Sequence, residues 1–155
     1  MPDLLAIAGV ASLLLSALSV GGQTPRPAPD APQVSQEFLA SITHLDCAFA
    51  VEAIGQWSGG APAAGTRMLP TPVRLRFVDI NVAEGSATAE AGGHRMAASA
   101  RSDRSNLYLL DSGSDDLIQL TVVFSRRTAT GRLLAVHTRS GRDAMQSYGD
   151  CAADR

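Results

Sequence analysis

The chain has 155 residues, enough for one domain with a core of its own. Basic and acidic residues number 13 and 15, a formal net charge of −2, which gives no grip on a phosphate backbone and argues against nucleic acid as a partner. Every basic side chain is Arg and Ala is abundant, as GC-rich bacterial coding produces, while aromatic residues make up only 5%, so a core must be built from Leu, Val and Ile.

Residues Leu4 to Val20 carry no charge, and Ser is their only polar type. As a helix this stretch would be about 26 Å long, slightly short of the ~30 Å hydrocarbon layer. Gly21–Gly22 and then Pro25, Pro27, Pro29 and Pro32 end it. A long apolar run closing on small residues has the form of a secretory signal peptide, so residues 1–22 are read as one, cleaved before Gln23 or before Val20. Met1-Pro2-Asp3 lacks the usual basic charge, and an uncleaved membrane anchor through residues 4–20 is the alternative. No Cys lies near residues 17–25, so a lipid anchor has no attachment point. Residues 23–34 follow as a Pro-rich linker of polyproline II character, and residues 35–155 as a single β-domain, secreted or periplasmic.

Within that domain Ser35 is placed to cap a short helix over about Gln36–Ile42. Glu37 sits in its first turn, Val34 is stapled against Leu39, and Phe38, Leu39 and Ile42 face the domain. From His44 the period becomes two. Leu45, Cys47, Phe49 and Val51 form an inner face, while Glu52 falls on the outer one with Arg74 and Arg76 as cross-strand ion partners. Val73, Leu75 and Phe77 repeat the alternation, and Ala87, Ala89 and Ala91 continue it after a turn at Glu84–Gly85. Further strands are expected at His94–Arg101, Asn106–Asp111, Leu117–Phe124 and Arg132–Thr138. Turn signals every ten or so residues predict an all-β fold: an antiparallel barrel or sandwich of about seven or eight strands, with the short N-terminal helix. A barrel is preferred because closure removes exposed sheet edges.

Cys47 lies in the first strand and Cys151 near the chain end, and in an exported domain two cysteines most economically form one disulfide. The bridge would pin a C-terminal tail poor in apolar residues. Gly55–Pro70 reads as the longest irregular stretch and holds the only Trp; the preferred reading is that Trp57 plugs one end of the core, and Trp57 with Met68 and Leu69 as a ligand-binding lid over a barrel mouth is the functional alternative.

Motifs for chemistry are scarce. His44, His94 and His137 read first as three unrelated surface or hydrogen-bonding histidines; the alternative is that His44 and Asp46, which share one face of a strand, form a catalytic or metal-binding group with His137 if their strands adjoin. Asp111-Ser-Gly-Ser-Asp-Asp116 lacks the order of a calcium loop and reads as a solvated turn. Ser58 in GQWSGG is not a nucleophile elbow, and no phosphate-cradling Gly loop is present. No cofactor is implied.

The runs LTVVF at 120–124, GRLLAVHTRSG at 131–141 and YGDC at 148–151 resemble a group of uncharacterised small exported bacterial β-domain proteins. The resemblance spans about residues 44–151; it implies an exported β-domain ending in a Cys and carries no activity. The expected function is therefore a non-enzymatic exported domain that binds a small apolar ligand or an envelope protein. A hydrolase-type or metal-dependent enzyme using His44, Asp46 or His137 is one alternative, and a purely structural envelope protein another. A membrane contact would arise only through the N-terminal segment, if uncleaved.

Overall fold

A computed structural model of the chain describes residues 32–58, 61–112, 117–141 and 143–155. The signal-peptide reading and most of the linker lie outside the described residues. Eight antiparallel strands follow one short helix, α1 (Gln36–Ala40). They are β1 (His44–Ser58), β2 (Ala61–Asn81), β3 (Ser86–Ala91), β4 (His94–Ser102), β5 (Asn106–Ser112), β6 (Ile118–Arg127), β7 (Leu133–Ser140) and β8 (Ala144–Asp154). Each strand pairs with the next, and β8 returns to β1, closing an eight-stranded barrel. Inward positions alternate along each strand, so Leu45, Cys47, Phe49, Leu75, Phe77, Leu107, Leu109, Val123 and Leu133 fill the interior.

The expected helix forms, shorter than its expected range. Ser35 Oγ accepts a hydrogen bond from the Phe38 N–H at 3.2 Å, satisfying one of the orphan donors of the first turn. A five-residue helix has little stability of its own and is held by packing. Leu39 and Ile42 are wholly buried against the core, with α1 lying on β4 and β5. The adjoining chain is tied down on both sides: the Thr43 N–H donates to the Asp154 carbonyl and the Ile80 N–H to that of Thr43, both at 3.0 Å. Residues 32–34, at the end of the expected linker, also join the domain, because the Val34 N–H donates to the Ser125 carbonyl and Gln33 bridges to Arg126. One end of the barrel is thus plugged. The other carries the β1–β2, β3–β4, β5–β6 and β7–β8 turns.

Cys47 and Cys151 stand directly opposite each other in the β1–β8 pair and form the disulfide, 104 residues apart in sequence. The bond stitches the seam at which the barrel closes. The tail expected to be loose is itself the closing strand, β8. Its inward side chains, Met145, Ser147, Gly149 and Cys151, are mostly small or polar, which hid the strand in the sequence. Gly55–Pro70, expected to be irregular, is instead strand on both sides of the β1–β2 hairpin. Among the described residues β2 meets β3 only from Arg76 onward, so this part of β2 is an edge, where Pro62, Pro70 and Pro72 cost no ladder hydrogen bonds on that side.

Irregularity in β1 decides what faces inward. Phe49 pairs with Val73 but Val51 with Met68, so Ala50 lies opposite residues 69–72 in a bulge. On the other side Phe49 pairs with Gly149 and Val51 with Tyr148, so Ala50 has no partner there either. One inserted residue reverses the alternation. Gly149 permits the close approach: a Cβ there would stand 1.9 Å from the Ala48 carbonyl oxygen.

Candidate functional site

Below the bulge β1 turns Leu45, Cys47 and Phe49 inward; above it, Glu52. The outer position expected for Glu52 is therefore wrong. It is 2% exposed, inside the barrel, and its partners are Arg67 and Arg139 rather than Arg74 and Arg76. Arg76 instead pairs on the outside with Asp46 and Glu90.

The register carries this polar position around the wall. Glu52 pairs with Ser147 of β8, Ser147 with His137 of β7, His137 with Thr121 of β6, and Thr121 with Leu109 of β5. Glu52, Ser147, His137 and Thr121 are all buried. The next row away from α1 runs Asp111, Gln119, Arg139, Met145 and Ile54 on β5, β6, β7, β8 and β1. The row toward the plugged end is Leu107, Val123, Ala135, Gly149 and Phe49. The interior therefore divides into an apolar half packed beneath α1 and a polar half at the opposite end.

In the polar half Glu52 Oε2 accepts from Arg67 Nε at 2.8 Å and Nη2 at 2.6 Å, and Oε1 from Arg139 Nη2 at 3.3 Å. A carboxylate buried alone would be costly; two guanidinium groups answer it. His137 Nδ1 lies 2.9 Å from Thr121 Oγ1, and its ring is 5.6 Å from that of Phe49. Burial first, and then the positive charge of Arg139, push His137 down to about 4, so the ring is neutral at physiological pH. Asp111 has the least support. It is 4% exposed, burial pushes its carboxyl up, and its Oδ1 has no hydrogen-bond partner among the described residues. Across the barrel the wall is lined by Ala87, Ala89, Ala98 and Ala100.

The sequence-derived candidates do not meet. His44 holds Thr43 Oγ1 at 2.9 Å beside α1, Asp46 points outward to Arg76, and His137 lies inside. Among the described residues no three His, Cys, Asp or Glu side chains are grouped to hold a metal ion. Met68 stands exposed on the outside of the β1–β2 ribbon, Leu69 is half-buried in the bulge, and the backbone of Trp57 pairs with Pro62. A separate cleft of about 750 Å³ on the outer wall is bordered by Asp46, Arg74, Arg76, Glu90, His94 and Arg95, most of whose charges pair with one another in solvent.

Sequence reasoning missed Glu52, Arg67, Asp111, Thr121, Arg139 and Ser147. The available signal was polar residues at inward parity: Asp111 continues Leu107 and Leu109, and Thr121 precedes Val123, each by two. Comparison with family models, curated proteins and solved structures finds no match to this chain.

Proposed function

We propose that this chain is an exported, non-catalytic binding domain that takes one small ligand into the open half of its barrel. The observation carrying the reading is the belt of buried polar side chains facing away from the plugged end, one of which, Asp111, holds an oxygen without a partner among the described residues. An eight-stranded barrel is wide enough either to be filled by its own side chains or to hold one small molecule. Here the apolar half beneath α1 is filled, so the ligand meets polar groups, which turns the expectation of an apolar ligand toward a polar one. The dispersal of His44, Asp46 and His137 favours binding over turnover. The Cys47–Cys151 bridge suits an oxidising compartment, and a secreted or periplasmic location through removal of residues 1–22 is part of the proposal.

Native mass spectrometry of protein recovered from the periplasm or medium tests this reading. A retained small molecule released on unfolding supports it. A chain of unprocessed mass with free thiols, carrying nothing, counts against both export and binding.

A second reading rests on a different surface. Tyr108, Val122, Val136 and Tyr148 form one outward row across β5, β6, β7 and β8, beside the exposed Leu110, Ile118 and Leu134. Such a face suits an envelope protein partner. Val136→Glu with Tyr148→Glu would abolish a cross-linked complex in whole cells; an unchanged complex removes this reading.

A further inference from the structure

We infer that the open half of the barrel binds a small organic acid that also carries a hydrogen-bond donor, a hydroxy acid or amino acid, with its carboxylate on Arg67 and Arg139 and its donor on Asp111. This rests on the reading of the barrel as a ligand site and names the chemistry of what enters it.

Two guanidinium groups converge on the single carboxylate of Glu52. Each guanidinium has five N–H donors, and Glu52 receives only two from Arg67 and one from Arg139. Their side chains are 60% and 40% exposed, so unused donors remain within reach of a molecule arriving at the open end. A planar carboxylate matches them. Glu52 itself, 2% exposed, holds both arginines in place.

Asp111 supplies the second point of recognition. It lies in the same cross-strand row as Arg139, with Gln119 between them. Strands about 4.8 Å apart put the two backbones roughly 10 Å from each other, a span that a small molecule and the two side chains fill. A buried carboxylate oxygen with no donor among the described residues is a standing cost, and a ligand hydroxyl or ammonium relieves it. An inorganic anion would bring charge repulsion to Asp111, and a purely apolar molecule would strip water from both arginines while replacing none of it. An acid with its own donor satisfies both ends.

The test uses the exported protein, ¹⁵N-labelled, titrated separately with lactate, alanine, propionate and the neutral dye N-phenyl-1-naphthylamine. Lactate or alanine is expected to shift the amides of Asp111, Gln119 and Arg139, and to bind roughly tenfold or more tighter than propionate, the worth of one hydrogen bond to a charged group. Asp111→Ala should erase that preference and leave propionate within about twofold, while Arg139→Gln should weaken all three acids together. Urea midpoints of both variants identify any loss that is simple unfolding, and Asp111→Asn, close in shape, serves where the Ala variant unfolds. Equal binding of lactate, alanine and propionate overturns the role of Asp111. Dye binding that no acid displaces overturns this ligand class but leaves the barrel a binding site. Silence toward the dye and all three acids overturns both readings.

Discussion

Acidifying the protein from about pH 7 to about pH 4 should cost it stability through one residue, His137. In the unfolded chain this imidazole titrates at 6.5; in the barrel burial beside Phe49, Thr121 and Ser147, and then the charge of Arg139, lower it to about 4. Between those values the unfolded state binds the proton and the native state does not. Stability is therefore fully present above pH 6.5 and declines as the pH falls toward the folded value. At 1.36 kcal/mol per pKa unit the whole window is worth about 3 kcal/mol, with no large discount for solvent because the side chain is 2% exposed. Asp111 acts in the opposite sense: its raised carboxyl binds a proton more readily folded than unfolded, so its burial penalty is relieved as pH falls. Glu37 and Asp103, both lowered by hydrogen bonds, lose their contributions only below 4.5 and 3.8, at the acid edge of the window. Urea unfolding followed by far-ultraviolet circular dichroism across this range, on Asp111→Asn with and without His137→Gln, isolates the effect. His137→Gln should flatten the profile by about 3 kcal/mol between the two ends. Parallel profiles for the two proteins would refute the reasoning.

Gly149→Ala should destabilise by about 3 kcal/mol or prevent closure, since its Cβ meets backbone atoms of Ala48 and Phe49 at 1.9 and 2.7 Å; Gly65→Ala, with nothing within 4 Å, is the control in the same urea series. Replacing Cys47 and Cys151 together by Ala should cost about 4 kcal/mol by chain entropy and lower the urea midpoint to that of the reduced wild type; equal midpoints for oxidised and double-Ala proteins would contradict it. The combined variant Glu52→Met, Arg139→Met and Asp111→Leu should match or exceed wild type in urea stability while losing binding of lactate or alanine by calorimetry. A large loss of stability would mean the polar belt is structural.

Much of the fold was legible because its signals are local. Alternation at Leu45–Phe49, Leu75–Phe77 and Leu107–Leu109 reports inward faces directly, and Ser35 three residues before Phe38 marks a helix start. Cys47 and Cys151 could be joined because two cysteines in one exported domain most economically form one bridge. Barrel closure was a weaker inference, because the closing strand β8 contributes Ser147 and Gly149 to the interior rather than large apolar side chains. Prolines at 62, 70 and 72 disguised the far half of β2, since a sequence does not state that β3 stops short and leaves that length an edge. The candidate site was hidden by an event no local window carries. Ala50 looks like any other small outward residue in a strand, yet it is the bulge.

That single insertion joins the architecture to the proposed activity. Had β1 kept its alternation, Val51 and Ala53 would point inward and Glu52 to solvent, giving an interior more apolar on this side. Instead the chain places a carboxylate in the barrel, supplies two arginines to hold it, and surrounds it with His137, Thr121, Ser147 and Asp111. Stability does not explain the choice, because apolar side chains of similar volume generally serve a core as well as or better than a buried ion pair. The departure is also confined to one end, opposite α1, and is supported by a glycine, Gly149, at the one position where the bulged strand comes too close for a side chain. Places where a sequence departs from what would best stabilise its fold are where function is expected. On the proposed reading, the bulge at Ala50 is the feature that turns the recognition groups into the barrel.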